Sequence, residues 1–133
     1  MQTASETSTV AASAGPFTFS GRIRSFTHAF HGIGLMLATQ HNAWVHLVAT
    51  LMAIALGLVL QLSRGEWCWI ALAIVGVWMA EALNTAFEIL CDVASPEFHP
   101  KVKQAKDVAA GAVLLSALGS VAIGLLIFSP HFF

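Results

Sequence analysis

At 133 residues, 57% hydrophobic and only 10% charged, the chain carries less than half the charged fraction of an ordinary soluble domain, which is about 25%. A soluble domain of this size could not hide so much apolar surface in one core, whereas a bilayer solvates it directly. Six Lys/Arg against seven Asp/Glu give a net charge of −1, which excludes the broad basic field of a nucleic-acid-binding domain.

Residues 1–20 are rich in Ser, Thr and Ala, lack Lys and Arg, and contain no apolar run long enough for a signal-peptide core. They are expected to form a disordered tail ahead of one membrane domain, residues 21–133. Over about residues 22–38, Ile23, Phe26, Phe30, Ile33 and Leu37 recur at steps of three and four, with Arg22, Arg24, Ser25, His28 and His31 elsewhere. This spacing predicts an amphipathic helix lying in the membrane interface or packed on the rest of the domain. Gly32 and Gly34 weaken it toward its end.

Three apolar stretches follow, each long enough for the roughly 20 residues of helix that cross a bilayer. They are placed at about residues 44–62, 67–90 and 105–128. The first is interrupted only by His46 and ends in the polar turn Ser63, Arg64, Gly65, Glu66. Lipid offers no partner to backbone N–H and C=O groups, so these stretches are helices. The fold class is an all-α membrane protein, an interfacial helix plus three transmembrane helices. Arg22, Arg24, Lys101, Lys103 and Lys106 lie on one side and Arg64 alone on the other, which places the N-terminus and the second connection in the cytoplasm. Trp44, Trp67 and Trp69 stand where interfacial anchors belong. Small residues at Ala49, Ala53, Gly57 and at Ala112, Ser116, Ser120, Gly124 let helices approach closely. Three helices shield few polar groups, so a homo-oligomer is expected. Cys68 and Cys91 lie roughly 35 Å apart along one helix and do not pair.

A polar stripe marks the end of the second span. At 100° per residue, Glu88 lies about 20° from Glu81, Asp92 about 20° to the other side of it, and Asn84 about 60° away. Gly76 and Ala80 continue this row and clear space beside it. Carboxylates near hydrocarbon cost a few kcal/mol or more each unless a cation, a proton or a cavity compensates. A helix ending near residue 80 would leave the acids solvated. Leu83, Phe87, Ile89 and Leu90 argue against that end, because they continue the apolar pattern on the other faces. The stripe therefore reads as a cation site, with Glu81 roughly 10 Å deeper than Glu88. The connection that follows has two prolines and then Lys101, Lys103 and Lys106, with Asp107 beside the last. Acids for a divalent cation next to lysines for phosphate suit a nucleotide-phosphate site. No P-loop or protein-kinase motif occurs, so phosphoryl transfer here would use neither architecture.

The run Glu81-Ala82-Leu83-Asn84-Thr85-Ala86-Phe87-Glu88, with Asp92, His99 and Ala105-Lys106-Asp107 after it, resembles the prokaryotic integral-membrane diacylglycerol kinases and their undecaprenol kinase branch. The resemblance extends over about residues 22–128. The segments Asn42 to His46 and Ser63 to Trp67 look more like the undecaprenol kinase side. It implies a homotrimer in the bacterial cytoplasmic membrane, with its active site on the cytoplasmic face, moving the γ-phosphate of MgATP to a lipid hydroxyl. Diacylglycerol is the first expected acceptor and undecaprenol the alternative. By the same resemblance, Glu81 is the general base and Glu88 a magnesium ligand. Lys106, Asp107, Glu97, Phe98, His99, His28 and Arg22 or Arg24 belong to the ATP site, and Asn84 and Trp44 to the lipid site. Where the family commonly has a second metal-binding glutamate, this chain has Gln40, a neutral oxygen ligand, so the site is expected to bind magnesium more weakly or to lean on Asp92. His28 replaces an aromatic residue common in the family.

Two other readings compete. A small transporter or proton-conducting subunit would account for Glu81 but not for the proline-bounded basic connection. A structural membrane partner would leave the aligned acids without cause.

Overall fold

The computed structural model describes residues 18–132. The expected tail therefore lies outside the described residues up to position 17. Thr18 is already an N-cap, its hydroxyl accepting from the Gly21 N–H at 3.3 Å. Four helices follow: α1 Phe19–Thr39, α2 His41–Val59, α3 Arg64–Ala94 and α4 Pro100–Phe128, with a short 3-10 turn Ser129–His131. No strand occurs among the described residues, and α2, α3 and α4 are each long and apolar enough to cross a membrane. The all-α membrane architecture read from hydropathy is the one observed.

The element ends differ from the sequence expectation in instructive ways. Neither Gly32 nor Gly34 interrupts α1, and a Cβ at either would meet no atom within 4 Å. The break comes instead at Gln40, a single extended residue (φ −104°, ψ 116°) whose N–H still reaches the Met36 carbonyl. One residue thus turns the chain from α1 into α2. Only Ser63 of the expected polar turn precedes α3. Its hydroxyl accepts from the Glu66 N–H while the Glu66 carboxylate accepts from the Ser63 N–H at 2.7 Å. That reciprocal capping box satisfies two otherwise orphaned donors and draws Arg64, Gly65 and Glu66 into the helix. Likewise Pro100 opens α4, the position where its missing N–H costs nothing, so Lys101, Lys103 and Lys106 are helical and the connection shrinks to residues 95–99.

The far end of α2 closes by a Schellman motif. The Leu62 N–H reaches the Gly57 carbonyl and the Gln61 N–H that of Leu58, with Gln61 in the left-handed region at φ 53°. Gly57 has to be small here, because a Cβ would stand 2.8 Å from the Trp67 ring and 3.0 Å from Leu62. Around it Leu62, Ile70 and Ile127 form the core, with Trp67, Ile74, Ile123 and Phe128 against them.

Helices α3 and α4 pack most extensively. Gly76 lies opposite Ser116, and the Ser120 hydroxyl donates to the Ala73 carbonyl at 3.1 Å. The small-residue row of α4 therefore meets α3. Helix α2 is tied to α3 by the Trp78 indole N–H, which donates to Thr50 at 3.0 Å. Leucines such as Leu51, Leu72, Leu115 and Leu126 point outward, a surface that lipid solvates and water does not. At 31 residues, α3 is about 46 Å long against a hydrocarbon core of about 30 Å, so part of it projects beyond the bilayer. Cys68 and Cys91 are unpaired on α3.

Left-handed backbone costs an L-residue about 1–2 kcal/mol that glycine avoids. Gln61→Gly should therefore raise stability by about 1 kcal/mol. Gly57→Val should lower it by displacing Trp67. Thermal melts of the detergent-solubilised protein check both signs.

Candidate active site

Helix α3 continues through residue 80 to Ala94, which rules out a row of acids trailing in solvent from a finished helix. The stripe nonetheless does not act as one cluster. Each member meets a different element, and the three carboxylates occupy three environments.

Glu81 is completely buried, and neither carboxylate oxygen has a hydrogen-bond partner among the described residues. The nearest ionisable group is His46 on the second turn of α2, its Nε2 3.7 Å from Oε2. The backbone is held locally by Thr85, whose hydroxyl donates to the Glu81 carbonyl at 2.9 Å. A buried carboxylate with no hydrogen bond forfeits several kcal/mol in its ionised form. A site that keeps one is organised for something other than stability.

Two turns further on, Glu88 is half-buried and well satisfied. The Gln40 amide donates to its Oε2 at 2.8 Å and the Asn84 amide to its Oε1 at 3.1 Å. Gln40 reaches across because the α1–α2 joint places it beside α3. The metal-binding expectation for Gln40 rested on its carbonyl, whereas the structure turns its N–H group toward Glu88. Asn84 is buried and its Oδ1 lacks a partner. Among the described residues no three His, Cys, Asp or Glu side chains converge. Glu88 with two amides, each carrying a hard carbonyl oxygen, still matches magnesium's usual protein share of one or two carboxylates completed by water and phosphate.

Asp92, the third acid, pairs with Lys106 on α4. Lys103 pairs with Asp107 at 2.6 Å, one turn along the same helix. Both are surface pairs, which water screens, so neither binds its lysine firmly. Lys101 is exposed, and its N–H donates to His99 Nδ1 at 3.2 Å. His99 is thus the N-cap of α4. Glu97 and Phe98 are exposed in the connection, beside Ser95, whose hydroxyl donates to the Glu97 carbonyl. Arg22 and His28 lie exposed on α1, and Trp44 on the first turn of α2.

Helix α1 runs beside the polar part of α3. A groove of about 290 Å³ lies between them, bordered by Ile33 and Met36 on one side and Thr85 and Ile89 on the other. Two apolar cavities lie along α3, one of them bordered by Asn84 and neither by the three carboxylates. One of about 290 Å³, between α2, α3 and α4, begins at Val45 and His46 and reaches Ile70 and Phe128. The other, about 690 Å³ between α3 and α4, is bordered by Gly76, Ala80, Asn84 and Ala105. The clearance expected from Gly76 and Ala80 is present, but it opens beside Asn84. His46 was noticeable in the sequence only as a polar interruption of an apolar span. Its approach to Glu81 depends on how α2 docks.

Comparison with known proteins places these residues in context. Residues 27–128 match the family profile described as prokaryotic diacylglycerol kinase. The chain is 43% identical over 107 residues to an undecaprenol kinase of Bacillus subtilis, covering 80% of this chain and 87% of that one. It is 37% identical over 101 residues to a diacylglycerol kinase of Synechocystis sp., covering 75% of this chain and 58% of that longer protein.

The contact between Gln40 and Glu88 gives a direct test. In Gln40→Glu two carboxylates face each other across a gap now closed by a 2.8 Å hydrogen bond, and a divalent cation relieves that repulsion. Magnesium should therefore raise the melting temperature of the variant more than that of the wild type, and its midpoint for activity should fall. Equal magnesium responses would remove Gln40 from the metal's surroundings.

Proposed function

Since the chain belongs to the prokaryotic diacylglycerol kinase family and is a lipid kinase, we propose that Glu81 is its general base, taking the proton of a lipid hydroxyl as that oxygen attacks the γ-phosphorus of ATP. The observation that carries this reading is a fully buried carboxylate with both oxygens unbonded among the described residues, on a stretch of α3 whose Val77 and Ala80 border the two apolar cavities. Glu88, by contrast, already accepts one amide N–H on each oxygen, which weakens it as a base and leaves one lone pair on each oxygen for a cation.

The remaining residues divide the work by depth. Glu88 would hold magnesium, with Gln40 presenting its amide oxygen after a flip. The ion, when bound, would offset charge on the phosphates. Lys106, released from Asp92, would contact the phosphates, with Lys103 and Asp107 beside it on α4. Glu97, Phe98 and His99 in the connection, and Arg22 and His28 on α1, would complete the ATP site. Asn84 and Trp44 would border the lipid. Asp92 serves in this scheme as the resting partner of Lys106 rather than as a metal ligand. The orientation proposed from the lysine and arginine bias puts this end of α3 at the cytoplasmic face of the bacterial inner membrane. A homotrimer would cover outward apolar faces that one chain leaves open.

The acceptor is a primary alcohol on an apolar tail. Diacylglycerol is the first reading, supported by the family's description and the Synechocystis relative. Undecaprenol is the second, favoured by the higher identity to the Bacillus subtilis enzyme. Purified protein given radiolabelled ATP and each lipid, with products separated by thin-layer chromatography, distinguishes them.

Glu81→Gln should lower kcat by a hundredfold or more, since that is about the least that base catalysis contributes, with ATP affinity little changed. More than about a tenth of the activity remaining would exclude Glu81 as the essential base. Lys106→Ala should raise the KM for ATP, while Lys101→Ala should leave it nearly unchanged. Equal effects would mean that the lysines act only through net charge.

A further inference from the structure

His46 is a histidine inside a membrane-spanning helix, and the reaction scheme above does not use it. A histidine in such a place is usually satisfied by a neighbouring hydroxyl or carbonyl. Here Nε2 is buried without a hydrogen-bond partner, and the polar atom it faces is Oε2 of Glu81, 3.7 Å away. The pair joins α2 to α3 at the point where the apolar cavity between α2, α3 and α4 begins. Leaving both an imidazole nitrogen and a carboxylate unsatisfied costs about 1–3 kcal/mol for each group, and more where the group is charged. A contraction of about 1 Å brings them to hydrogen-bond distance and removes most of that cost.

We propose that His46 is a positioning residue for Glu81, its Nε2–H holding carboxylate oxygen Oε2 so that Oε1 is aimed at the hydroxyl of the lipid substrate. The proposal rests on the reading of Glu81 as the base. A carboxylate held through one oxygen loses rotation about its last side-chain bond, so its second oxygen points one way. In the step itself the lipid hydroxyl proton passes to Oε1, the new bond forms between the lipid oxygen and the γ-phosphorus, and the bond to the β-phosphate oxygen breaks, releasing ADP. His46 keeps its proton throughout and steadies the carboxylic acid that results. The arrangement resembles a nucleophile, base and orienting group acting in series, with the histidine as orienter. His46 also lines the cavity, so an apolar-tailed alcohol lying there would meet the imidazole that neighbours Glu81.

The test separates the hydrogen bond from the ring's bulk. His46→Leu keeps the volume and removes the donor. His46→Gln restores an N–H at about the reach of Nε2. The Leu variant should lose about 10- to 100-fold in kcat, the scale expected when a reacting group is misplaced by about 1 Å, with the KM for ATP within twofold of wild type. The Gln variant should recover to within about fivefold of wild type. In a Glu81→Gln background, His46→Leu should cost less than twofold further, because residues acting as a unit are not additive. Wild-type kcat in the Leu variant would overturn the proposal, as would equal losses in the Leu and Gln variants, a loss confined to KM, or an undiminished effect in the Glu81→Gln background. Melting temperatures of all variants separate misfolding from misplacement. High activity in Glu81→Gln alone would instead overturn the assignment of the base.

Discussion

Lipid supplies no hydrogen bonds, so each carboxylate carried by α3 must be answered by a side chain from another helix or remain unanswered. The placement of the other helices around α3 can be understood from that need. The α1–α2 joint delivers Gln40 to Glu88, α2 brings His46 toward Glu81, and the first turns of α4 bring Lys106 to Asp92. Small residues make these approaches possible. Gly76 and Ser116 let α3 and α4 come together, and Gly57 makes room for Trp67 at the opposite end.

The three acids form a graded series. Asp92 sits in an exposed ion pair that exchanges easily. Glu88 is half-buried and its charge is stabilised by hydrogen bonds from two amides. Glu81 is sealed and unbonded. A carboxylate that accepts few hydrogen bonds from the protein keeps more of its lone pairs for a substrate. A single helix with polar residues at steps of three and four produces this gradient by passing from solvent into lipid.

Gln40 shows how one neutral atom changes such a site. A glutamate there would set two acids against each other whenever no cation was bound. The amide instead donates to Glu88 and ties the α1–α2 joint to α3.

Periodicity and hydropathy alone determined a great deal about this protein: three spans, an amphipathic leading helix, unpaired cysteines and a row of acids on one helical face. These are legible because helical geometry links sequence spacing to direction with no knowledge of neighbours. Local capping chemistry, which neither signal carries, set the boundaries. The capping box at Ser63 and Pro100 at the start of α4 lengthened two helices, and Gln40, rather than the glycines of α1, broke the first. Tertiary structure alone decided which acid met which partner. The row of Glu81, Glu88 and Asp92 looks like one site in the sequence, and it is divided because α1, α2 and α4 approach α3 from different sides and at different depths. Nothing in the spacing of His46 from its neighbours points to Glu81, 35 residues away, since contacts between helices depend on packing rather than on period.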